Sequence, residues 1–205
     1  MKINLLSKVL AILFLSRCFV NGQGTMVYDQ QSSDESNWAT GGNVIQTSQP
    51  TGQSFTPSLD GVGFVRLQLF DANRNNGLGA TLFVNLRSGS LNGAIIGSTD
   101  PVTLPDNFGL PLNTGFVTFY FPNVISVQPG TAYFIEPIVQ TGDSWAVAGD
   151  TFNYAGGSEY VHGTAFTSDY WFREGVIVPE PSSAALCVIA AGVAVYLRTR
   201  KKTVS

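Results

Sequence analysis

The chain has 205 residues, of which 12% are charged, and a formal net charge of −3. Residues 23–178 carry four basic residues, all arginine, against thirteen acidic ones, which gives this stretch a net charge of −9. That balance argues against nucleic-acid binding, which depends on clustered Lys and Arg. Cys18 and Cys187 lie outside the stretch and His162 is its single histidine, which excludes most zinc, iron–sulfur and copper sites.

The first residues have the layout of a secretory signal peptide. Lys2 and Lys8 precede an apolar run at 9–15, and small residues follow around Gly22. A positive start, an apolar middle and small residues near the cleavage site direct a chain to export. We therefore predict a signal helix at 1–22 that is removed by cleavage after Gly22.

The stretch that follows, residues 23–50, is polar. It predicts either a loose N-terminal arm or a first strand around Val44 to Thr47. A β-sandwich domain is then expected over residues 51–178.

Residues 51–178 show the alternation of half-buried antiparallel strands. In VGFVRLQLF, apolar residues alternate with Arg66 and Gln68, and ATLFVNLRS and GFVTFYF have the same period of two. That period places every second side chain on the buried face. The side chains expected on this face are Val65, Leu67, Leu69, Leu82, Val84, Leu86, Val117, Phe119 and Phe121.

Further strands are predicted at TAYFIEPIV, SWAVAG and DYWFREGVIV. Turn sequences separate the runs, and VQPGTA places Pro129 and Gly130 where a type II turn requires them. Pro137 inside its run predicts an edge strand or a bulge. Short strands at this spacing, without helical periodicity, predict an all-β fold of the jelly-roll-like β-sandwich type, with a barrel as the all-β alternative.

The segment DANRNNG, residues 71–77, suggests calcium because oxygen-bearing side chains alternate from Asp71 onward. An EF-hand loop requires Gly at its sixth place and Glu at its twelfth, where this chain has Asn76 and Leu82. We therefore predict a hairpin loop between two strands, in which Asn and Gly accept left-handed conformations. No cofactor is predicted, although calcium held by groups from separate loops would leave no spacing signature.

Aromatic and acidic residues are interleaved in the last third of the chain. Aromatic rings that stack on sugars, beside carboxylates that accept hydroxyl hydrogen bonds, would form a glycan platform. The residues assigned to it are Trp145, Tyr154, Tyr160, Tyr170 and Trp171. The alternative is that Trp145 and one of Tyr170 and Trp171 fill the core, while the other ring of that adjacent pair faces outward.

The sequence contains no catalytic motif. G-x-S-x-G and H-E-x-x-H are both absent, so no nucleophile triad is expected. Asp143, Asp150, Glu159 and Asp169 could supply a carboxylate pair for glycoside hydrolysis, but the separation that decides that mechanism does not follow from sequence. The alternative is that these four carboxylates are solvated charges in loops. We predict that the protein is not an enzyme.

A second apolar segment lies near the C-terminus, in VPEPSSAALCVIAAGVAVYLRTRKK. The run 184–197 has fourteen residues, and a helix of that length spans about 21 Å, short of the ~30 Å hydrocarbon core. We predict a short transmembrane helix at 183–197. Four basic residues after it would fix its orientation by the positive-inside rule, namely Arg198, Arg200, Lys201 and Lys202.

The order of parts in residues 179–205, namely Pro179-Glu180-Pro181, a short apolar helix and a terminal basic cluster, resembles the PEP-CTERM protein-sorting signal. The two prolines keep the tripeptide extended and open to a protease. The resemblance implies an exosortase-type processing enzyme that acts at the motif, in Gram-negative bacteria that make extracellular polysaccharide. In addition, TGQSFTPSLDGVGFVRLQLFD is similar to the opening of sandwich domains in surface proteins with such tails, several of which resemble carbohydrate-binding modules.

Together these features predict an exported protein that is held briefly in the inner membrane by its C-terminal helix. After processing it would reside at the cell surface or in the extracellular matrix. Its expected partners are the processing enzyme, extracellular polysaccharide and, before processing, the membrane, with no nucleic acid. The alternatives are a small secreted glycan-active hydrolase and a purely structural coat protein.

Overall fold

A computed structural model describes residues 24–179 of the chain. The signal helix predicted at 1–22 and the helix predicted at 183–197 lie outside the described residues, as do Glu180 and Pro181. The chain divides into a compact unit, Met26–Ile177, and a second unit, nearly all of which is likewise outside the described residues. Within 24–179, no helix is long and apolar enough to cross a membrane.

The described residues form an all-β fold, and their one short helix is a 3₁₀ turn at Leu112–Thr114. The strands are β1 (Thr25–Gln31), β2 (Gly41–Val44), β3 (Gly52–Phe55), β4 (Gly61–Asp71), β5 (Ala80–Ser88), β6 (Ile95–Ser98), β7 (Val102–Leu104), β8 (Phe116–Ser126), β9 (Tyr133–Gly142), β10 (Trp145–Asp150), β11 (Glu159–Val161), β12 (Thr164–Ala165), β13 (Asp169–Tyr170) and β14 (Phe172–Val178).

The strands build two antiparallel sheets that do not close into a barrel. In the first sheet the order is β1-β14-β4-β10-β13, with β8 on β4 and β2 on β10. In the second sheet it is β12-β11-β3-β9-β5-β6, with β7 also on β5. The stretch predicted as either an arm or a first strand therefore contributes two strands to the first sheet. Of these, β1 was not predicted.

The core lies between the sheets and confirms the predicted alternation. The side chains expected on the buried face of β4, β5 and β8 are all buried, and the six from β4 and β5 are completely so. The predicted turn is also confirmed, because Gly130 has φ of 76° and the Thr131 N–H donates to the Gln128 carbonyl at 3.2 Å. A positive φ at the third residue defines the type II turn.

The loop at residues 71–77 is not the predicted hairpin. It joins β4 to β5, and these strands belong to different sheets. The turn residues identified a loop correctly, but the pairing of the strands that flank a loop depends on contacts made elsewhere. The loop therefore crosses one end of the sandwich.

Pro137 lies within β9, opposite Val84 of β5. On its other side, β9 pairs with β3 only as far as Ile135. Pro137 therefore lies where β9 no longer pairs with β3. Its lack of an N–H group removes no hydrogen bond between these two strands. The strand is central along one part of its length and an edge along the other.

The outer face of the first sheet is covered by other parts of the chain. Gln68, which alternation assigns to the solvent side, is completely buried. Its side-chain carbonyl accepts the Ala39 N–H at 2.8 Å, and its amide donates to the carbonyls of Ala39 and Leu112 at 3.1 and 3.0 Å. The segment before β2 and the loop before β8 therefore lie over this face.

Candidate functional site

Three of the five aromatic residues predicted for a glycan platform have no exposed surface. Trp145, Tyr170 and Trp171 are each 0% exposed. Trp145 and Tyr170 belong to the main core cluster between the sheets. Rings without an accessible face cannot stack on a sugar, so these residues are corrected to core positions.

The expectation that either Tyr170 or Trp171 faces solvent is also wrong. The two side chains do lie in different clusters, as adjacent strand positions require. Trp171, however, packs against Phe116 at a ring distance of 4.5 Å, and its indole N–H donates to the Asp34 carbonyl at 3.0 Å. The covering segments therefore turn a solvent-facing position into a second, smaller core.

Tyr154 and Tyr160 are partly buried. The Tyr154 hydroxyl donates to Gln30 Oε1 at 2.9 Å, and its ring packs edge-on to Phe172. Burial raises the pKa of Tyr154 to about 12, so the phenol stays neutral. Tyr160 packs edge-on to Phe134 at 5.5 Å. Both tyrosines serve mainly as packing residues.

Trp38 is 40% exposed and was not singled out by sequence. It lies in SNWATGG, a polar stretch. Polar and apolar residues do not alternate there, so the sequence gives no sign that this ring lies at the surface. The next residue, Ala39, is completely buried and packs with Ala148 and Trp171, and partly buried Phe152 packs against the same cluster. The backbone of Trp38 is thus anchored while its ring remains accessible.

The hydroxyl of Thr40, two residues after this tryptophan, lies against a carboxylate from β10. Thr40 Oγ1 donates to Asp150 Oδ2 at 3.3 Å, and the Thr151 N–H donates to Asp150 Oδ1 at 2.8 Å. The backbone hydrogen bond from Thr151 outweighs burial and lowers the pKa of Asp150, so the carboxylate is ionised. We call Trp38, Thr40, Asp150 and Phe152 the Trp38 surface.

The other acidic residues considered for hydrolysis have structural partners. Glu159, 2% exposed, accepts hydrogen bonds from Asn43 Nδ2 at 2.6 Å and from the Ser168 hydroxyl. Asp169, 3% exposed, accepts from Gln53 Nε2 at 3.1 Å and from the Tyr154 N–H at 3.0 Å. Burial raises the pKa of Asp169. These contacts fix neighbouring strands and loops to one another.

The loop at residues 71–77 uses its oxygen atoms in hydrogen bonds. Asp71 accepts the N–H groups of Asn73 and Asn107 at 2.8 Å each, and Asp106 accepts those of Asn75 and Gly77 at 3.1 and 2.9 Å. Within residues 24–179, no group of three or more His, Cys, Asp or Glu side chains is arranged to hold a metal ion. The carboxylates organise this end of the sandwich.

A cavity of about 230 Å³ opens on the second sheet. It is lined by Gly79, Ala80, Thr81, Thr103, Thr141 and Gly142. The hydroxyls of Thr81 and Thr103 lie 2.9 Å apart across β5 and β7. No acidic residue lines this cavity, so it lacks the carboxylate pair that glycoside hydrolysis needs.

Comparison of the chain with protein-family models and with curated protein sequences finds no match in either case.

Proposed function

We propose that the chain is an exported, non-enzymatic protein that is processed at Pro179-Glu180-Pro181 and acts at the cell surface or in the extracellular matrix. The observation that carries this proposal is the extent of the folded unit. It spans Met26–Ile177, which fills the interval between the predicted signal peptide at 1–22 and the sorting tail at 179–205. Removing either predicted segment would cut none of the fourteen strands.

We also infer that the sandwich is a jelly roll. Its principal strands run β1-β14-β4-β8 in one sheet and β3-β9-β5-β6 in the other. From β3 to β5 and again from β8 to β10 the chain changes sheet at each step. This alternation is typical of the double Greek key that forms a jelly roll.

The Trp38 surface is the place that best supports an association with polysaccharide. An exposed indole offers a flat apolar face to a sugar ring, and the ionised Asp150 accepts hydrogen bonds from sugar hydroxyls. Thr40 adds a hydroxyl beside that carboxylate. The surface replaces the platform predicted from sequence, whose largest rings are buried.

Processing is tested by expressing Glu180→Ala and wild-type protein in the native host and measuring intact mass and membrane fractionation. We expect wild-type protein to end near Pro181, and the variant to keep its full tail and remain in the membrane. Ser183→Ala is the matched control, since it leaves the tripeptide intact. A wild-type protein that keeps residues 183–205 in the membrane would replace the sorting signal with an ordinary anchor.

Polysaccharide association is tested by affinity electrophoresis in gels that contain the host's own exopolysaccharide. Trp38→Ala should lose most of the retardation shown by wild-type protein, because the variant removes the stacking face. Phe166→Ala is the control, since Phe166 is 48% exposed at a different place in the chain. Equal retardation of both variants would reject the Trp38 surface, and release of reducing sugar by wild-type protein would favour the hydrolase alternative. Absence of retardation for wild-type protein would favour a structural coat.

A further inference from the structure

Glu174 is a buried acidic residue without a compensating charge. It lies in β14 directly opposite Val65 of β4, and both residues are 0% exposed. Directly opposite residues of an antiparallel pair point to the same face, so the carboxyl group is directed into the core. Neither of its oxygen atoms accepts a hydrogen bond of normal geometry, although the backbone N–H of Gln30 is near enough to favour the charged form. An ionised carboxylate is strongly disfavoured in such a place.

Strand β1 is the hydrogen-bonded neighbour of β14, and the carboxylate of Asp29 in β1 interacts with the carboxyl group of Glu174. The Asp29 carboxylate accepts the N–H groups of Ser58 and Leu59 at 2.8 and 2.9 Å and the Gln30 side-chain amide at 3.2 Å, together with the Ser58 hydroxyl. Burial raises the pKa of Asp29, but these hydrogen bonds outweigh burial and lower it overall. Asp29 is therefore the member of the pair that holds the negative charge.

The environment of Glu174 acts in the opposite direction. Burial, and then the charge of Asp29, raise the pKa of Glu174 to about 8. Tyr154 is a further titratable group near it, and its phenol stays neutral because burial raises its pKa to about 12. Arg173 does not compensate, since its guanidinium lies over the Tyr28 ring and pairs with Glu35 at 3.0 Å.

We infer that Glu174 keeps its proton at neutral pH and donates it to the Asp29 carboxylate, so that this acid pair acts as a proton-dependent latch between strands β1 and β14. The O–H of Glu174 is the donor and an oxygen of Asp29 is the acceptor. When base removes this proton, two carboxylates face each other in a buried place. Their repulsion is relieved when β1 separates from β14.

The geometry selects a proton over a metal ion as the partner of this pair. The oxygens of Asp29 already accept four hydrogen bonds. Calcium needs six to eight oxygen ligands, and Gln30 Oε1, a neighbouring oxygen, already accepts the Tyr154 hydroxyl. One proton removes the charge of Glu174 and gives it an O–H donor for Asp29 without displacing any of these bonds.

The test uses the protein as recovered from its host, isotopically labelled, and follows the side-chain carboxyl of Glu174 by NMR from pH 5 to pH 10. Hydrogen exchange of the β1 amides is measured at pH 6.5 and pH 9, with correction for the intrinsic effect of pH. Glu174→Gln keeps the shape and a donor but cannot ionise. Glu159→Gln is the matched control, a buried glutamate whose oxygens have hydrogen-bond partners.

We expect Glu174 to titrate near pH 8, and we expect corrected exchange in β1 to rise about thirtyfold from pH 6.5 to pH 9, because the opening equilibrium grows about tenfold per pH unit up to the folded pKa and levels off above it. Glu174→Gln should abolish the increase, while Glu159→Gln should retain it. Titration of Glu174 below pH 6, or the same increase in wild-type protein and Glu174→Gln, would overturn the latch. If Glu174→Gln does not fold, the wild-type titration still decides the question.

Discussion

Trp38 and Trp171 are the same residue type in opposite environments. Trp171 is fully buried beneath the segment that carries Ala39, whereas Trp38, one residue before that alanine, is 40% exposed. A buried aromatic side chain contributes far more to stability than an exposed one does. These two positions therefore separate a role in stability from the surface role that we propose for Trp38.

Replacement of Trp171 by Ala should lower the free energy of unfolding by about 3–5 kcal/mol, because it leaves a cavity beside Phe116. It also leaves the Asp34 carbonyl without its donor. Trp38→Ala should change stability by no more than about 0.5 kcal/mol, as is usual for exposed positions. Urea denaturation of both variants measures this difference, and a similar loss for both would contradict the assigned environments.

The prediction of a glycan platform failed at Trp171 for a definite reason. Alternation correctly put Tyr170 and Trp171 on opposite faces, but it carries no information on what covers the outer face. The covering segment lies more than 130 residues away, as the bond between Trp171 and Asp34 shows. Coverage by a segment so distant in the chain leaves no local pattern.

At the scale of elements, β1 depends on close approach to β14. A Cβ at Gly175 would lie 2.0 Å from the Val27 carbonyl oxygen, which real side chains do not allow. At Gly63, in the adjacent strand β4, the nearest atom would be 3.4 Å away, an ordinary contact. The two glycines form a matched pair within one sheet.

Gly175→Ala should push β1 away from β14 and lower stability by about 1–3 kcal/mol, the usual cost of overpacking. Gly63→Ala should be nearly neutral. Thermal unfolding gives the stabilities, and limited proteolysis shows whether cleavage appears in residues 25–31. An unchanged Gly175→Ala variant would mean that β1 is not held against β14 as described.

The buried faces of β4, β5 and β8 could be predicted because apolar residues recur at every second position of a strand that has one buried face. The pairing of those strands could not, since it depends on partners distant in sequence. Arg66, for example, lies opposite Arg173. Glu35 forms ion pairs with both arginines, at 2.9 and 3.0 Å, and so offsets the repulsion between them. Such a bridge becomes apparent only after folding.

At the scale of the whole molecule, two sets of acidic residues have opposite effects on stability as pH changes. Hydrogen bonds outweigh burial and lower the pKa of Asp29, Asp34, Asp106, Asp143 and Asp150. Their contribution is present above the unfolded pKa and is lost as pH falls through the folded pKa. Burial raises the pKa of Glu174 and Asp169, whose contribution is fully present at low pH and is lost as pH rises toward the folded pKa.

Stability should therefore be highest at about pH 4–5, between these two losses, and should fall as pH rises to about 8. The net charge of −9 over residues 23–178 acts in the same direction, because self-repulsion grows as the acids ionise. Melting temperature measured from pH 3 to pH 9 at constant ionic strength checks this expectation. A maximum at pH 8 or above would contradict it, and Glu174→Gln should flatten the alkaline side.

The position of β14 has a consequence for the order of assembly. This strand is the last of the described strands to be synthesised, yet it lies between β1 and β4 in the finished sheet. The first sheet therefore cannot close during synthesis, and β1 must wait for a partner that follows it by about 140 residues. Folding that depends on such distant contacts is slow. The first sheet thus remains incomplete until the residues of β14, up to Val178, have been synthesised.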